Sequence, residues 1–399
     1  MTDSADAPVP PRPAAVTRGG APVVGMVGGG QLARMTAQAA ISLGVGFRVL
    51  ADSAADSAAQ VSAGTRLGDY RSLDDLSDFA AGCDVLTFDH EHVPGEHLAA
   101  LERAGVQVRP AAAALRLTQD KLTMRERLTG LGVDCPRFAP VSGVTEVEEF
   151  AAGTWPVVLK AVSGGYDGRG VWVCGSAAEA AGVLAHGIRL IAEEHIGFER
   201  ELAVLAARSP HGQGAVYPVV QTVQRDGICR EVLAPAPGLP PGRAAQAQAL
   251  TLRLAAELGV TGLLAVEMFE TTRGLLVNEL ATRPHNCGHW TIEGARTSQF
   301  EQHLRAVLDL PLGSPSLAVP TVMANVLGGD DGDVYDRYSH VMAADPAVTL
   351  HMYGKPVRPG RKIGHVTVTG DRDHRDPAGL ADRARRAASY LRWGKEDGE

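Results

Sequence analysis

The sequence predicts a protein of mixed α/β and α+β class in three parts. These are a parallel-sheet N-terminal domain (21–118), a small second domain (119–200) and a C-terminal domain with a mixed or antiparallel sheet (201–395). Three observations carry that prediction. The first hundred ordered residues alternate short apolar runs with helix-length segments, the pattern of parallel strands joined by crossover helices. From Asp120 a charged helical stretch, short strands and a glycine-rich turn follow closely. Beyond Glu201 longer strands dominate. A chain of 399 residues holds two or three domains of ordinary size.

The elements follow in order. Residues 1–20, with Pro8, Pro10, Pro11 and Pro13 among small and polar residues, are expected to form a disordered tail. Val23–Val27 is a strand, Gly28-Gly29-Gly30 a turn, and Gln31 to about Leu43 a helix. Strands at Phe47–Leu50 and Asp84–Phe88 and a helix at Glu96–Ala104 complete the first domain. The second opens with a helix at Lys121–Leu131. Strands follow at Val157–Ala161, Gly170–Cys174 and Leu190–Glu194, with a helix near Ala177–His186. The third is read as strands Glu201–Ala207, Ala215–Val223, Glu231–Pro235, Leu263–Phe269 and Leu275–Leu280. Helices are expected near Arg243–Leu258 and Ser298–Leu308, then a basic hairpin at His351–Val368 and a helix at Leu380–Leu391. The three domains are expected to share one cleft.

Composition removes several classes. Hydrophobic residues make up 45% and charged residues 21%, so a packed globular protein is expected. The net charge of −8 argues against a general nucleic-acid binder. No apolar run reaches the length of a membrane span, and the start lacks the basic-then-apolar pattern of a secretory signal. Five scattered cysteines without a C-x-x-C fit free thiols in a reducing, cytoplasmic setting. Of 38 basic residues only five are lysine (Lys121, Lys160, Lys355, Lys362, Lys395). A chain that uses arginine for generic positive charge marks its remaining lysines as candidates for compact point charges.

Six motifs are candidates for chemistry. The Gly28–Gly30 turn lies between strand and helix, where backbone amides and the helix dipole favour an anion. Asp52 follows the second strand, as a dinucleotide site would require, yet the G-x-G-x-x-G match is incomplete. A phosphate or substrate site, NAD and a plain tight turn all remain open there. Asp89-His90-Glu91-His92 ends a strand. Alternation places Asp89 and Glu91 on one face and both histidines on the other, which favours a substrate-facing Glu91 over a zinc site. In Lys160–Gly170 a strand ends in lysine and four glycines fall within seven residues before the next strand. Such a hairpin closes its amides over polyphosphate, with a surface turn as the bland alternative, and no Walker loop occurs.

Glu267 and Glu279 sit in apolar strands around a turn at Thr272-Arg273-Gly274. An odd-length loop would set them directly opposite, where like charges need compensation. A Mg²⁺ ion bridging phosphates supplies it, and salt bridges to arginines are the alternative. Arg283-Pro284-His285-Asn286-Cys287-Gly288-His289 follows at once, with Arg283 suited to an anion, His285 to the reacting groups and His289 to structure. Finally, Tyr353–Lys362 carries Lys355, Arg358, Arg361 and Lys362 in a Gly/Pro loop, either a phosphate clamp or a solvated turn.

Together these segments resemble the ATP-grasp superfamily, and within it the 5-(carboxyamino)imidazole ribonucleotide synthases of purine biosynthesis. The resemblance runs from about Val23 to Thr369. It rests on Gly28-Gly-Gly-Gln-Leu-Ala-Arg-Met35, Gln119-Asp-Lys-Leu122, Gly165-Tyr-Asp-Gly-Arg-Gly170 and Asn278-Glu-Leu-Ala-Thr-Arg-Pro-His-Asn286. Gly288-His-Trp-Thr291, Ser298-Gln-Phe-Glu301 and Arg358-Pro-Gly-Arg-Lys-Ile-Gly-His365 complete it. The resemblance implies an ATP-grasp fold: a Rossmann-like first domain, a lid and a catalytic domain, with ATP between two antiparallel sheets.

It further implies that Lys121, Lys160 and the loop Gly165, Tyr166, Asp167, Gly168, Arg169, Gly170 contact the ATP phosphates. Glu193, Glu194, His195 and Ile196 would form the adenine hinge and Glu201 would hold ribose, with Gln224 and Asn278 nearby. Glu267 and Glu279 would bind Mg²⁺, with Mn²⁺ able to substitute. Bicarbonate would be phosphorylated to carboxyphosphate, and the amine of aminoimidazole ribonucleotide would capture the CO₂ released. Arg283, His285 and Lys355 would serve that chemistry, the first two by holding bicarbonate or orienting the amine and Lys355, with Arg361 and Lys362, by taking the ribonucleotide phosphate. Gln31, Leu32, Glu91, Asn286, Arg361 and Lys362 would line the ribonucleotide pocket. Departures stand at Asp89 (usually Glu), Gln221, Thr222 and Gln224 (a set that usually includes a histidine), Thr282 (usually Pro) and Cys287 (usually Ser). A homodimer with no nucleic-acid or membrane partner is the family expectation. A formate-dependent ATP-grasp enzyme, an NAD-dependent oxidoreductase and a non-catalytic nucleotide regulator are the alternatives.

Overall fold

The computed structural model describes residues 19–395 except 166–167, 331, 333 and 372–375; the expected tail lies, up to residue 18, outside them. The first domain is a parallel sheet of β1 (Val23–Val27), β2 (Gly46–Ala51), β3 (Thr65–Leu67) and β4 (Val85–Phe88), in the order β3-β2-β1-β4. Its helices are α1 (Gln31–Leu43), α2 (Leu73–Ala80) and α3 (Gly95–Arg103), and α4 (Ala112–Gln119) and α5 (Lys121–Gly130) lead onward. Helix α1 occupies the predicted residues. It stops at Gly44, whose φ of 68° suits the left-handed residue that ends a helix. The short strand β3 and helix α2 were not foreseen.

The second domain is an antiparallel sheet of β5 (Phe138–Val141), β6 (Val157–Ala161), β7 (Val171–Cys174) and β8 (Leu190–Glu194), ordered β5-β8-β6-β7. Helices α6 (Val144–Ala151) and α7 (Ala177–Leu184) cover one face. Strand alternation then sets function. In β6, Val157 and Leu159 are buried against those helices and Ala161 is buried beyond them in the same alternation, so Val158 and Lys160 must face the other way.

The C-terminal strands join into one nine-stranded sheet. It comprises β9 (Arg200–Arg208), β10 (Gly214–Val216), β11 (Val220–Arg225), β12 (Ile228–Ala234), β13 (Gly262–Thr271), β14 (Gly274–Ala281), β15 (Thr321–Leu327), β16 (Val348–Met352) and β17 (Lys362–Thr369). The order is β14-β13-β9-β11-β12-β15-β17-β16, with β10 on β9. The single strand expected at Ala215–Val223 is two, because Pro218 has no amide to give a ladder. Helices α8 (Pro241–Glu257), α9 (Thr291–Gly294), α10 (Gln299–Val307), α11 (Tyr338–Ala344) and α12 (Pro377–Trp393) complete the domain.

Helix α10 ties this domain to the first. Its Leu304 and Val307 are buried among Val24, Ala40 and Val85 of the parallel sheet and α1. Side chains of that kind contribute about 1.5–3 kcal/mol each when buried. His303, also buried, shares a 2.7 Å hydrogen bond with Thr87 of β4. The docking presents the C-terminal ends of β1 and β4 to the cleft.

Candidate active site

All three domains wall one cavity of about 1050 Å³. Gln31, Leu32 and Asp89–Pro94 come from the first domain, Lys160 and Glu193–Ile196 from the second, and Glu201, Glu267, Asn278, Glu279 and Arg283 from the third. A smaller cavity of about 460 Å³, between α11 and α12, contains none of the predicted site residues.

The hairpin β13–β14 supplies the carboxylates. Glu267 pairs with Glu279 across it, as expected, but for a different reason. The loop is even: Thr271 pairs with Gly274, leaving only Thr272 and Arg273 between strands. The register then shifts between Glu267 and Met268, and Asn278 is the extra residue. A bulge, rather than an odd loop, therefore sets the two carboxylates opposite one another.

Compensating charge comes from elsewhere. Lys121, at the start of α5, donates from Nζ to Glu279 Oε1 at 3.0 Å. Burial, then the carboxylates of Glu279 and Glu201, raises the Glu267 carboxyl above its usual range. Burial also pushes on Glu279, but Lys121 and Lys160 outweigh it and hold that carboxyl down. Glu201 is pushed up to about 7 by burial. These directions describe a pocket short of positive charge, which suits a divalent cation between Glu267 and Glu279. Two protein carboxylates with phosphate oxygens and water as the other ligands is a common arrangement for Mg²⁺.

Lys160 crosses from the lid sheet to the hairpin. Its ammonium lies 2.8 Å from Glu193 Oε2 and donates to Asn278 Oδ1 at 3.0 Å. Burial favours its neutral form, opposed by Glu193. The glycine loop beyond it folds over the cavity. A side chain at Gly227 would meet Gly168 Cα at 2.6 Å, so the loop rests backbone to backbone on the β11–β12 turn. Gly165 and Gly168 line the cavity while Arg169 is exposed and Gly170 stands outside the lining. Tyr166 and Asp167 lie outside the described residues. Of the expected adenine hinge, Glu194, His195 and Ile196 line the cavity alongside Glu193, whose carboxylate is buried between Lys160 and Arg125. Gln224 also lines it.

At the other end, Arg283 Nε lies 2.8 Å from Glu91 Oε1. Gln119 donates to the carbonyls of Glu91 and Val93, both at 2.7 Å, and so holds that loop in place. The alternation argued for Asp89–His92 does not come from a strand, since β4 ends at Phe88. The sorting nonetheless occurs: His90 and His92 stack on each other while Glu91 turns to Arg283. No group of three His, Cys, Asp or Glu side chains fit for a metal forms among the described residues, so zinc there finds no support.

His285 Nε2 stands 3.9 Å from Glu267, and its Nδ1 is 3.1 Å from Cys287 Sγ. Asn286 lines the cavity with its amide nitrogen buried and without a hydrogen-bond partner among the described residues. His289 is fully buried and bonded to Gln299, as its expected structural role requires. Lys362 lines the cavity. Lys355 stands just behind the lining, hydrogen-bonded to Gln31. Arg361 points back to its own loop, donating to Pro356 O at 3.4 Å.

The Gly28–Gly30 turn has a definite job. Gly28 has φ 106°, and a side chain there would strike His90 at 2.8 Å. The Gly30 amide donates to the Asp89 carboxylate. An amide that a dinucleotide pyrophosphate would need is thus already taken, which removes the main support for NAD.

Four residues were given no role by sequence reasoning. Arg125 bonds Glu193 and the hairpin backbone. Its one signal is position, since it shares a helix face with Lys121 four residues earlier. Gln299 holds the 285–289 loop through His285 N, His285 O and His289. Phe198 and Phe269 stack at 4.8 Å and line the cavity. Gln299 stood in the Ser298-Gln-Phe-Glu301 segment without a role, and no motif marks either phenylalanine.

Two antiparallel sheets closing on paired lysines and paired carboxylates, beside a parallel-sheet domain, define an ATP-grasp enzyme. The comparisons agree. The ATP-grasp domain family matches residues 126–300, the ribonucleotide synthetase preATP-grasp domain 22–119 and the phosphoribosylaminoimidazole carboxylase C-terminal domain 321–375. The N5-carboxyaminoimidazole ribonucleotide synthase of Mycobacterium tuberculosis is 56% identical, over 96% of this chain and 91% of its own length. The crystal structure of the synthetase from Thermus thermophilus superposes with TM-score 0.82 at 39% identity, covering 94% of this chain and 100% of that one. The Aspergillus clavatus synthase in complex with ADP and 5-aminoimidazole ribonucleotide gives 0.85 at 30% identity, over 93% and 98%. The chain belongs to the N5-carboxyaminoimidazole ribonucleotide synthase family.

Proposed function

We propose the following division of labour for the reaction of this family, the ATP-dependent carboxylation of aminoimidazole ribonucleotide to N5-carboxyaminoimidazole ribonucleotide in purine biosynthesis. The observation that carries it is the single cavity uniting Lys121, Lys160, Glu267 and Glu279 with Arg283, Glu91 and Gln31. Glu267 and Glu279 hold Mg²⁺, for which Mn²⁺ is expected to substitute; bound there, it neutralises phosphate charge. Lys121 and Lys160 take the phosphates, the Gly165–Gly170 loop covers them, and the 193–196 segment with Phe198 and Phe269 flanks the base. Glu201 accepts from ribose.

A bicarbonate oxygen attacks the γ-phosphorus and ADP leaves, giving carboxyphosphate. Its C–O bond breaks to CO₂ and phosphate. The exocyclic amine then bonds to the CO₂ carbon, and its proton passes to the departing phosphate. Arg283 and His285 hold the bicarbonate and the amine in line. Asn286, Lys355, Arg361 and Lys362 secure the ribonucleotide, with Gln31, Leu32 and Glu91 completing the wall. The chain's own contribution is positioning and charge stabilisation.

The test is ATP turnover with each co-substrate in turn. Hydrolysis stimulated by aminoimidazole ribonucleotide with bicarbonate, and unmoved by formate, is the expected result. Stimulation by formate, or indifference to the ribonucleotide, would overturn the assignment. No helix among the described residues is long and apolar enough to cross a membrane. We assign the enzyme to the cytoplasm as a homodimer, a state that light scattering of the purified chain checks directly.

A further inference from the structure

Arg125 is a fully buried charge in helix α5, and no step above uses it. Its guanidinium makes three contacts on two domains. Nε donates to Glu193 Oε1 of β8 at 2.7 Å, Nη1 to Val277 O at 3.0 Å and Nη2 to Asn278 O at 2.8 Å. Val277 and Asn278 are neighbours in β14. In a regular strand consecutive carbonyls point to opposite edges, so one group cannot take both. Here both turn to the same guanidinium, because the bulge at Asn278 breaks the alternation. That bulge is also what sets Glu279 opposite Glu267.

The other branch of Arg125 reaches Lys160. Glu193 is shared: one carboxylate oxygen faces Arg125 and the other faces Lys160. Lys160 in turn bonds Asn278 Oδ1. Arg125, Glu193, Lys160 and Asn278 thus close a ring across the lid and the hairpin, held by planar, charge-assisted bonds. The same helix sends Lys121 to Glu279.

We infer that Arg125 is a positioning residue that fixes the bulged hairpin for the metal and, through Glu193, aims Lys160 at the nucleotide phosphates. The inference rests on the proposed roles of Glu279 and Lys160. It predicts that the two functions separate. Lysine at 125 keeps the charge but lacks the planar fork that spans three acceptors. Glu193→Gln leaves Arg125 its two carbonyls, so the bulge persists while Lys160 loses its anchor.

The experiment measures binding of ADP by calorimetry with and without Mg²⁺, alongside steady-state kinetics, for both variants. Arg125→Lys is expected to weaken ADP at least tenfold in Mg²⁺ but less than threefold without it, raising half-saturating Mg²⁺ about tenfold. KM for aminoimidazole ribonucleotide stays within twofold. Glu193→Gln is expected to weaken ADP equally with and without Mg²⁺ and to leave half-saturating Mg²⁺ within twofold. If Arg125→Lys does not fold, Glu193→Gln alone still decides. For Glu193→Gln, an unchanged ADP affinity, or one weakened only in Mg²⁺, overturns the ring. Folded Arg125→Lys with unchanged Mg²⁺ dependence overturns the role at the bulge. Lys160→Met serves as the control. If it retains full turnover, the reading of the nucleotide site has failed; if it is inactive while Arg125→Lys is normal, only the present inference has.

Discussion

The two ends of the cavity, proposed for nucleotide and for ribonucleotide, are built on different principles. At the nucleotide end the cations already have partners: Lys121 on Glu279, Lys160 on Glu193 and Asn278, Arg125 on Glu193. At the proposed ribonucleotide end, beyond the Arg283–Glu91 pair, the groups wait on loops. Lys355 is steadied by Gln31, Arg361 bonds its own backbone, and the Asn286 amide nitrogen has no hydrogen-bond partner among the described residues. In the first region a substitution disturbs a charge network with low dielectric around it. In the second it removes one contact. On the proposed assignment, the same reaction depends on preorganised electrostatics at one end and mainly on contact at the other.

The comparison breaks most readily at Glu279. Glu279→Gln is expected to lower kcat by about 10³-fold, since it removes a proposed metal ligand and leaves Lys121 without its counter-charge. Turnover within tenfold of the parent would mean that the carboxylate pair is not the metal site. Lys160→Met comes next, with a loss of about 10²-fold in kcat/KM for ATP. Breaking a buried pair ordinarily costs about 3–5 kcal/mol, but Glu193 keeps Arg125, so denaturant unfolding should show a smaller loss. A loss at the full value would show that the network is not shared. Lys355→Met is expected to raise KM for aminoimidazole ribonucleotide about tenfold with kcat within twofold, the effect of one charge-assisted contact. Arg361→Met should fall short of threefold. If Arg361 proves the larger of the two, the loop moves onto the substrate and the ribonucleotide end is as preorganised as the other.

Much of this was legible before the coordinates. Lys160 was picked out as one of five lysines, ending a strand before a glycine-rich turn; its direction came only with the buried residues on either side of it. The opposition of Glu267 and Glu279 was also read, though through a miscounted loop; the bulge that achieves it leaves no mark in an apolar strand. Strand β15 was missed because Thr321–Leu327 is buried on both faces and shows no alternation. Arg125 was unreadable for a different reason. Its partners, Glu193 and two backbone carbonyls, lie 68 to 153 residues away. Such partners follow from the docking of domains, which pattern and propensity do not specify. The departures told a similar story: the sequence does not say what Cys287, where serine is usual, would touch, and its thiol lies against His285 Nδ1.

The smallest expected effect concerns Glu201, which lies between the two regimes: it faces the nucleotide end, but burial alone sets its charge state. That burial pushes its carboxyl up to about 7, against 4.5 for an unperturbed glutamate. The folded state therefore binds more protons than the unfolded state between those values, and stability falls as pH rises through that window. Below about pH 4.5 the group is protonated in both states and costs nothing; above about 7 the loss is complete. Glu267 shifts in the same direction, so the parent's profile holds both contributions. The difference between the parent and Glu201→Gln isolates one of them. The melting temperature of the nucleotide-free parent should drop by a few degrees more than that of the variant between pH 5 and 7.5, since about 1 kcal/mol shifts Tm by about 2–4 °C at the scale of a large domain. Adding ADP should shrink the difference, because a ribose hydroxyl donating to the ionised carboxylate offsets its burial. Parallel profiles for the two proteins would show that water reaches Glu201 in the folded state, and the ribose contact would then have to be sought elsewhere in the cavity.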